Sequence, residues 1–262
     1  MDERLPLFRH RVLLPSVFRP EALVEAVRME RGIERANVPP ICVLDFDGDL
    51  TDWLVRTGIA HPHPAWACFH TTMHTFEVNG MECGIVARTI GGPYAVLVAE
   101  QLRVSGAGVV LGLTSAGRVS ASLPVPSLVV ATSAIRDEGT SHHYLPAAEV
   151  VPAPAKLAAS LYRGLQALGL PVSQGLVWTT DAPYRETAEE LAEHAANGAL
   201  AVEMQAASLF AFAQARHAEV GVVAHVTNAV DHTGEPFDKG SDEHGWHLTQ
   251  AICRAGRAFL EG

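Results

Sequence analysis

Two aspartates follow an apolar segment of the chain at a spacing that suits attack on phosphorus. The segment is CVLDFDGDLTD, in which Asp45 and Asp47 come directly after a predicted buried strand. A carboxylate there can act as a nucleophile when a magnesium ion and a lysine screen the phosphate charge. Lys239 before GSDEHG is the only candidate for that lysine and its acidic pair, and no apolar strand leads closely into it. Phosphoryl transfer is therefore a distant alternative.

Further polar turns follow apolar segments along the chain. They read TSAGR, RDEGTSHHY, TTDAPYRET, VEMQ and HVTN. In α/β sheets, ligands bind at the carboxyl ends of strands, where such turns lie. We therefore expect the functional residues in these turns.

The elements that hold these turns alternate between strands and helices. Strands are predicted at ICVLDF, CGIVAR, GVVLGLTSAG, SLVVATSAI, GLVWTT and VGVVAHVTN, and amphipathic or apolar helices lie between them. The alternation predicts an α/β fold, a single-domain three-layer sandwich with a central mixed, mostly parallel sheet flanked by helices. We expect residues 1–40 to form an N-terminal helical extension and residues 41–262 the catalytic domain.

The composition argues against several classes of function. Hydrophobic residues make up 48% of the chain, but no apolar run is long enough to span a membrane. The charged start, MDERLPLFRH, does not predict a secretory signal. A net charge of −10 and two lysines argue against nucleic-acid binding. Four scattered cysteines indicate reduced thiols and a cytoplasmic protein, and adjacent His142 and His143 do not predict a metal site.

Seven segments, in this order, resemble the nucleoside phosphorylase superfamily, which includes uridine phosphorylases, purine nucleoside phosphorylases and nucleosidases. They are the Gly48-Asp49 turn, TIGGPYAVLVAEQL, LTSAG, AIRDEGTSHHYLP, WTTDAPY, AVEMQAASLF and VTN. The resemblance implies cleavage of the N-glycosidic bond of a nucleoside or modified nucleoside to free base and (phospho)pentose. It also implies no cofactor, with inorganic phosphate as a possible co-substrate, and a homo-oligomer, either a dimer or a hexamer.

The resemblance implies a ribose site at Glu203, Met204 and Gln205. Relatives carry a glutamate where this chain has Gln205, so the sugar hydroxyls meet an amide instead of a carboxylate. Relatives that cleave purine nucleosides often carry an acid at Asn228, and an amide cannot protonate a base. We therefore expect a pyrimidine or 6-oxopurine as leaving group, with Asn228, Gln205 and Asp49 as the catalytic residues.

Asp181, Arg185 and Asn228 are the base-binding residues that the resemblance implies. The segment TTDAPYRET corresponds to the part of the family fold that closes over the base. Asp181 has a second possible role, because it precedes APYRETAEEL as the N-cap of a helix would. Both roles stay open at this point.

The implied pocket for phosphate or water contains Gly48, Asp49, Ser115 and Arg118. In the nucleosidases of the family an acidic residue near the first turn orients water, a role that Asp47 or Asp49 could take. These residues are compatible with either acceptor.

Two arginines that hold phosphate in the phosphorolytic relatives are absent from this chain. Asp52 and Gly112 occupy their positions, and neither binds an anion by charge. Arg88, Arg118 and Arg136 lie in nearby turns and are candidates to replace them. The missing arginines favour water as the acceptor, whereas phosphorylases are the commoner relatives.

Four functions remain open from the sequence. The first is nucleoside phosphorolysis, the second is hydrolysis of a nucleoside by water, and the third is nucleoside binding without turnover. The fourth rests on Asp45 and Asp47, whose spacing resembles the haloacid dehalogenase phosphatases. The polar stretch over residues 231–245 predicts a solvated loop that could close over the site.

Overall fold

A computed structural model of the chain describes residues 6–169, 171–230 and 241–262. Lys239 and most of the predicted polar loop, residues 231–240, lie outside the described residues. The first five residues of the predicted N-terminal extension also lie outside them.

Ten strands within the described part of the chain pair into one sheet. They are β1 (Ile41–Asp45), β2 (His61–Pro62), β3 (Met73–Val78), β4 (Met81–Ala87), β5 (Val109–Arg118), β6 (Ser127–Asp137), β7 (Val150–Pro152), β8 (Val172–Thr180), β9 (Ala199–Glu203) and β10 (Glu219–Ala229). All five residues of β1 are buried, as expected for a strand that is covered on both faces.

Eight α-helices accompany the strands in the same described ranges. They are α1 (Pro20–Arg31), α2 (Asp49–Arg56), α3 (Gly92–Val104), α4 (Ser141–Tyr144), α5 (Ala155–Leu165), α6 (Ala188–Ala196), α7 (Ala206–Arg216) and α8 (Asp242–Glu261). The helix α1 begins at Pro20 and ends at Gly32, whose φ of 65° is left-handed, as the sequence predicts. No helix among these residues is long and apolar enough to cross a membrane.

The strand order is β10-β6-β8-β9-β5-β1-β4-β3-β2, and β10 also pairs with β5. The strands β10, β6, β8, β9 and β5 therefore close into a ring, from which β1, β4, β3 and β2 extend. Parallel pairs join β4 to β1, β1 to β5, β5 to β10, β6 to β8 and β8 to β9. Antiparallel pairs lie at the edges and where β10 meets β6 and β9 meets β5. The mixed sheet agrees with the prediction.

Seven of the eight described α-helices form two groups, and α6 packs against β9. One group contains α1, α3, α4 and α7, and the other contains α2, α5 and α8, with contacts between helices inside each group. Gly92, at the start of α3, allows the first group to pack closely, because a Cβ there would lie 2.1 Å from the Ser208 hydroxyl of α7. The three-layer α/β architecture is confirmed.

Three elements near the polar turns were not predicted. The helix α2 begins inside DGDLTD, the strand β3 forms a hairpin with β4, and the strand β9 occupies AVE before Met204. Each is short, and β9 is defined by its pairing with β8 and β5 rather than by its own sequence. The strand β9 matters most for function, because it ends at Glu203.

Candidate functional site

Glu203 ends β9 and accepts hydrogen bonds from the turn that begins α7. Its carboxylate accepts from the backbone N–H groups of Gln205 (2.7 Å) and Ala206 (2.8 Å), and from the Thr179 hydroxyl on neighbouring β8. Unpaired N–H groups at a helix start favour an anion, so this position suits a carboxylate. Burial raises the pKa of Glu203 to about 7, and these hydrogen bonds oppose the rise.

Gln205 lies beside this carboxylate and is 1% exposed. When its amide is oriented to satisfy both neighbours, the nitrogen donates to Glu203 Oε2 at 3.2 Å. Its oxygen then accepts from the backbone N–H of Gly91 at 2.9 Å. The amide therefore links the end of β9 to the Gly91-Gly92 turn before α3, a contact that a glutamate facing Glu203 would make less favourably.

Asn228 reaches the same region through an irregularity in β10. The register against β5 shifts between Val226, which pairs with Ala116, and Asn228, which pairs with Gly117. The extra residue, Thr227, is a β-bulge, and a bulge changes the face on which the following side chain lies. Val226 therefore packs in the core, while Asn228 lines a cavity.

The Glu203 cavity has a volume of about 350 Å³. It is lined by Ser115, Ala116, Gly117, Pro183, Tyr184, Glu186, Val202, Glu203, Met204, Asn228 and Val230. Small-molecule sites have volumes of roughly 300–1,000 Å³ and combine apolar walls with a few polar groups. This cavity offers a buried carboxylate, an amide and a hydroxyl, which together suit a ligand rich in hydroxyl and N–H groups.

The Asp45 cavity adjoins it, because Ser115 lines both. Its volume is about 230 Å³. It is lined by Asp45, Asp47, Asp49, Leu50, Leu113, Thr114, Ser115, His225, Thr227, Ser241, Asp242, Gly245 and Leu248. Two of the predicted pocket residues, Asp49 and Ser115, therefore lie together.

Asp45 holds the turn between β1 and α2. Its carboxylate accepts from the backbone N–H groups of Gly48 (3.1 Å) and Thr51 (2.8 Å), and from the Thr51 hydroxyl (2.7 Å). Gly48 has a φ of 88°, a left-handed conformation that favours glycine. Burial raises the pKa of Asp45, and these hydrogen bonds oppose that rise. The carboxylate therefore stabilises this turn.

Glu186 faces both the Glu203 cavity and a neighbouring one, and the sequence interpretation missed it. Burial, and then the charge of Glu190, raise the pKa of Glu186 to about 7. The signal that was available is the pattern Thr187-x-x-Glu190, a capping box that places the start of α6 after Thr187. Glu186 then has to lie in the loop that precedes the helix, beside Arg185.

Asp181 and Arg185 line that neighbouring cavity, of about 450 Å³, and not the Glu203 cavity. The Asp181 carboxylate accepts from the backbone N–H of Gly139 at 2.9 Å. The N-cap role for Asp181 is wrong, because Thr187 caps α6. Of the three residues expected at the base, Asn228 lines the Glu203 cavity, whereas Asp181 and Arg185 line the neighbouring cavity.

A family model described as the phosphorylase superfamily matches residues 40–261. The chain belongs to this superfamily. Among solved structures, uridine phosphorylase from Vibrio fischeri ES114 is similar over 87% of this chain and 91% of its own, with a TM-score of 0.66 and 20% identity. At that identity the similarity shows the fold.

Several curated relatives are similar to the chain over part of its length. Guanosine phosphorylase from Halorubrum lacusprofundi is 30% identical over 152 residues, which cover 56% of this chain and 61% of the relative. Uridine phosphorylase from Thermococcus kodakarensis is 27% identical over 111 residues, 42% of this chain and 40% of the relative. Uridine phosphorylase from Treponema pallidum is 26% identical, covering 73% of this chain and 78% of the relative.

The three candidate arginines of this phosphorylase-superfamily chain make other contacts. Arg88 pairs with Asp52 through both guanidinium nitrogens, one of them at 3.1 Å. Arg136 is buried and donates to the Ser141 hydroxyl (2.8 Å) and to the Pro146 carbonyl (2.7 Å). Arg118 ends β5 beside β9 and is not among the residues that line either cavity.

Gly112 lies inside β5 under Phe46. A Cβ at this position would lie 2.9 Å from the Phe46 ring, so the strand has no room for a longer side chain here. This packing is the physical reason that no arginine can extend from this position.

A groove of about 910 Å³ between α5 and α8 is larger than these cavities. It lies near Glu219, at the start of β10 and away from the polar turns. Its basic side chains, Lys156, Arg163 and Arg254, are exposed. We assign the functional site to the Glu203 and Asp45 cavities, since they lie at the carboxyl ends of strands.

Proposed function

We propose that the chain cleaves the N-glycosidic bond of a nucleoside or modified nucleoside in the Glu203 cavity. The observation that carries this proposal is the placement of Glu203, Met204 and Asn228 around one cavity, with Gln205 fixed against Glu203. Membership of the phosphorylase superfamily and the names of the relatives support it.

Glu203 is the residue that suits the developing charge of such a reaction. Cleavage of a glycosidic bond passes through an oxocarbenium-like state, in which the sugar ring becomes positive. A carboxylate that is already held by two backbone N–H groups and a hydroxyl does not reorganise as that charge develops. The turn thus holds the Glu203 carboxylate in place, so that its negative charge stabilises the positive ribose without reorganisation.

Asn228 and Glu186 line the part of the cavity where we place the base. The Asn228 amide can donate to and accept from a base edge, and an ionised Glu186 can accept from ring or exocyclic N–H groups. A 6-oxopurine and a pyrimidine such as uracil both carry such N–H groups beside carbonyl oxygens. Relatives named guanosine phosphorylase and uridine phosphorylase support these two substrate classes.

The remaining expectations from the sequence belong to this proposal. The protein acts on a small nucleoside in the cytoplasm, without a metal or organic cofactor, as a dimer or hexamer. The acceptor of the pentose is water or inorganic phosphate.

A panel of purine and pyrimidine nucleosides, assayed for free base by chromatography, tests the proposal. We expect base release by the wild-type protein and by Glu25→Gln, a control in the exposed Arg35–Glu25 pair of α1. Glu203→Gln should lose it. If calorimetry shows that a nucleoside binds while no base is released from any nucleoside, the protein is a binding protein and the proposal is wrong.

A further inference from the structure

The lining of the Asp45 cavity is strongly negative, which is unfavourable for binding an anion. Its described lining residues include Asp45, Asp47, Asp49 and Asp242, and none of them is a lysine or arginine. A phosphate dianion placed among carboxylates meets repulsion that increases as water is excluded. The cavity therefore needs a nearby cation if it is to accept phosphate.

Two backbone donors of the adjoining turn are already used by the protein itself. The N–H groups of Gly48 and Thr51, at the start of α2, both donate to the Asp45 carboxylate. An anion often binds at such a helix start, through N–H groups that lack an intrahelical partner. Here an internal carboxylate takes the position of the external anion.

Arg88 is the cation that lies against this turn. Its side chain covers Gly48, since a Cβ on Gly48 would lie 2.6 Å from Arg88 Cγ and 3.3 Å from its Cζ. Its guanidinium is bound by both oxygens of Asp52, which extends from α2 one turn after Asp49. A bidentate arginine–carboxylate contact has the same geometry as an arginine–phosphate contact. Asp52 therefore occupies the guanidinium N–H donors of Arg88 that phosphate would use.

We infer that the Asp52–Arg88 pair excludes phosphate, and that the acceptor in the Asp45 cavity is water. The inference rests on the cleavage proposed above and names its second substrate. Asp52 supplies the counter-charge of Arg88 within the chain, and the lining carboxylates favour a neutral nucleophile that gives up a proton.

The hydrolytic step balances without a further reactant. The water oxygen forms the bond to the anomeric carbon as the N-glycosidic bond breaks, and the bonding electron pair leaves with the base nitrogen. The proton that the water loses passes to a lining carboxylate such as Asp49, and the departing base takes up one proton from the solvent. The products are a free pentose and a neutral base.

The variant Asp52→Asn tests the inference, because it removes the counter-charge and keeps the size of the side chain. We expect inorganic phosphate to leave the melting temperature and base release of the wild-type protein unchanged at matched ionic strength. In Asp52→Asn, phosphate should raise the melting temperature and stimulate base release by about tenfold or more, the size of one charge-assisted hydrogen bond. Pentose phosphate should then appear among the products.

Two matched variants show whether Arg88 carries the effect. The double variant Asp52→Asn/Arg88→Gln should lose the response to phosphate, and Glu25→Gln, a carboxylate in a distant exposed pair, should not gain one. The inference is overturned if base release by the wild type requires phosphate, or if phosphate stabilises the wild type as much as Asp52→Asn. The melting temperatures test phosphate binding even if no nucleoside is cleaved, an outcome that would refute the proposed function instead.

Discussion

Two buried carboxylates, Asp45 and Glu203, end neighbouring parts of the sheet in nearly the same way. Each accepts two backbone N–H groups from the turn that follows its strand and one threonine hydroxyl. Each lines one of two adjoining cavities. Burial raises the pKa of both. The same local arrangement of the backbone thus stabilises a carboxylate in both places.

Their surroundings differ, and this difference decides what each cavity can bind. Glu203 lies beside the amide of Gln205 and shares its cavity with the amide of Asn228 and with one further carboxyl, Glu186. Asp45 shares its cavity with further aspartates. A turn fixes the position of a carboxylate, whereas neighbouring charges set its function.

Glu203→Gln should have the largest effect on activity. The substitution keeps the size of the side chain but removes the negative charge, and it turns an NH₂ group toward hydrogen-bond donors. We expect kcat/KM for base release to fall about 100–1,000-fold and the free energy of unfolding to fall by about 2 kcal/mol. Steady-state kinetics and urea unfolding measure the two effects. Activity within tenfold of the wild type would contradict the role of Glu203.

Asn228→Ala should have the next largest effect on activity. The amide faces the cavity beyond the bulge in β10, so its loss removes hydrogen bonds to the base. We expect kcat/KM to fall about 10–100-fold. The melting temperature serves as the control, and a large decrease in it would show a structural role instead.

Asp45→Asn distinguishes the role of Asp45 from that of Glu203 most clearly. We expect the free energy of unfolding to fall by about 1–3 kcal/mol, because an amide NH₂ would replace one of the two oxygens and face the N–H donor of either Gly48 or Thr51. The folded protein should lose less activity than Glu203→Gln does. Equal losses of activity would mean that both carboxylates act on the substrate, and the proposed division between the cavities would fail.

Glu186→Gln should have the smallest effect, visible in the pH dependence. With a pKa of about 7 against an ordinary value of 4.5, folded Glu186 keeps its proton over a pH range in which the unfolded chain has lost it. Its contribution to stability therefore falls as the pH rises from 4.5 toward 7. Urea unfolding across this range should show a shallower pH dependence in Glu186→Gln, and KM should change only a few-fold. An unchanged pH profile would show that Glu186 does not titrate there.

The sequence predicted those parts of the site that depend on local signals. The alternation of strands and helices placed the polar turns at strand ends, and Glu203, Met204 and Asn228 lie around one cavity. The fold class and the superfamily are confirmed. The strand ends follow from local residue patterns, whereas Glu203, Met204 and Asn228 were implied by the resemblance of whole segments to the superfamily.

Contacts between distant segments could not be predicted in the same way. Arg88 and Asp52 are 36 residues apart and meet only because β4 and β1 are neighbours in the sheet. Asp181 accepts from Gly139, which is 42 residues away, so its N-cap role failed once Thr187 proved to be the cap. The bulge that turns Asn228 into the cavity depends on pairing with β5, and no residue in VTN indicates it.

Product analysis in water labelled with heavy oxygen distinguishes hydrolysis of the nucleoside from its phosphorolysis. Each nucleoside of the panel is incubated with the protein and with inorganic phosphate, and the base and sugar are identified by mass spectrometry. We expect free base and free pentose, with no pentose phosphate. If every nucleoside is recovered intact, the claim that this cavity cleaves the N-glycosidic bond is contradicted, and an unlabelled pentose phosphate would contradict the assignment of water as the acceptor.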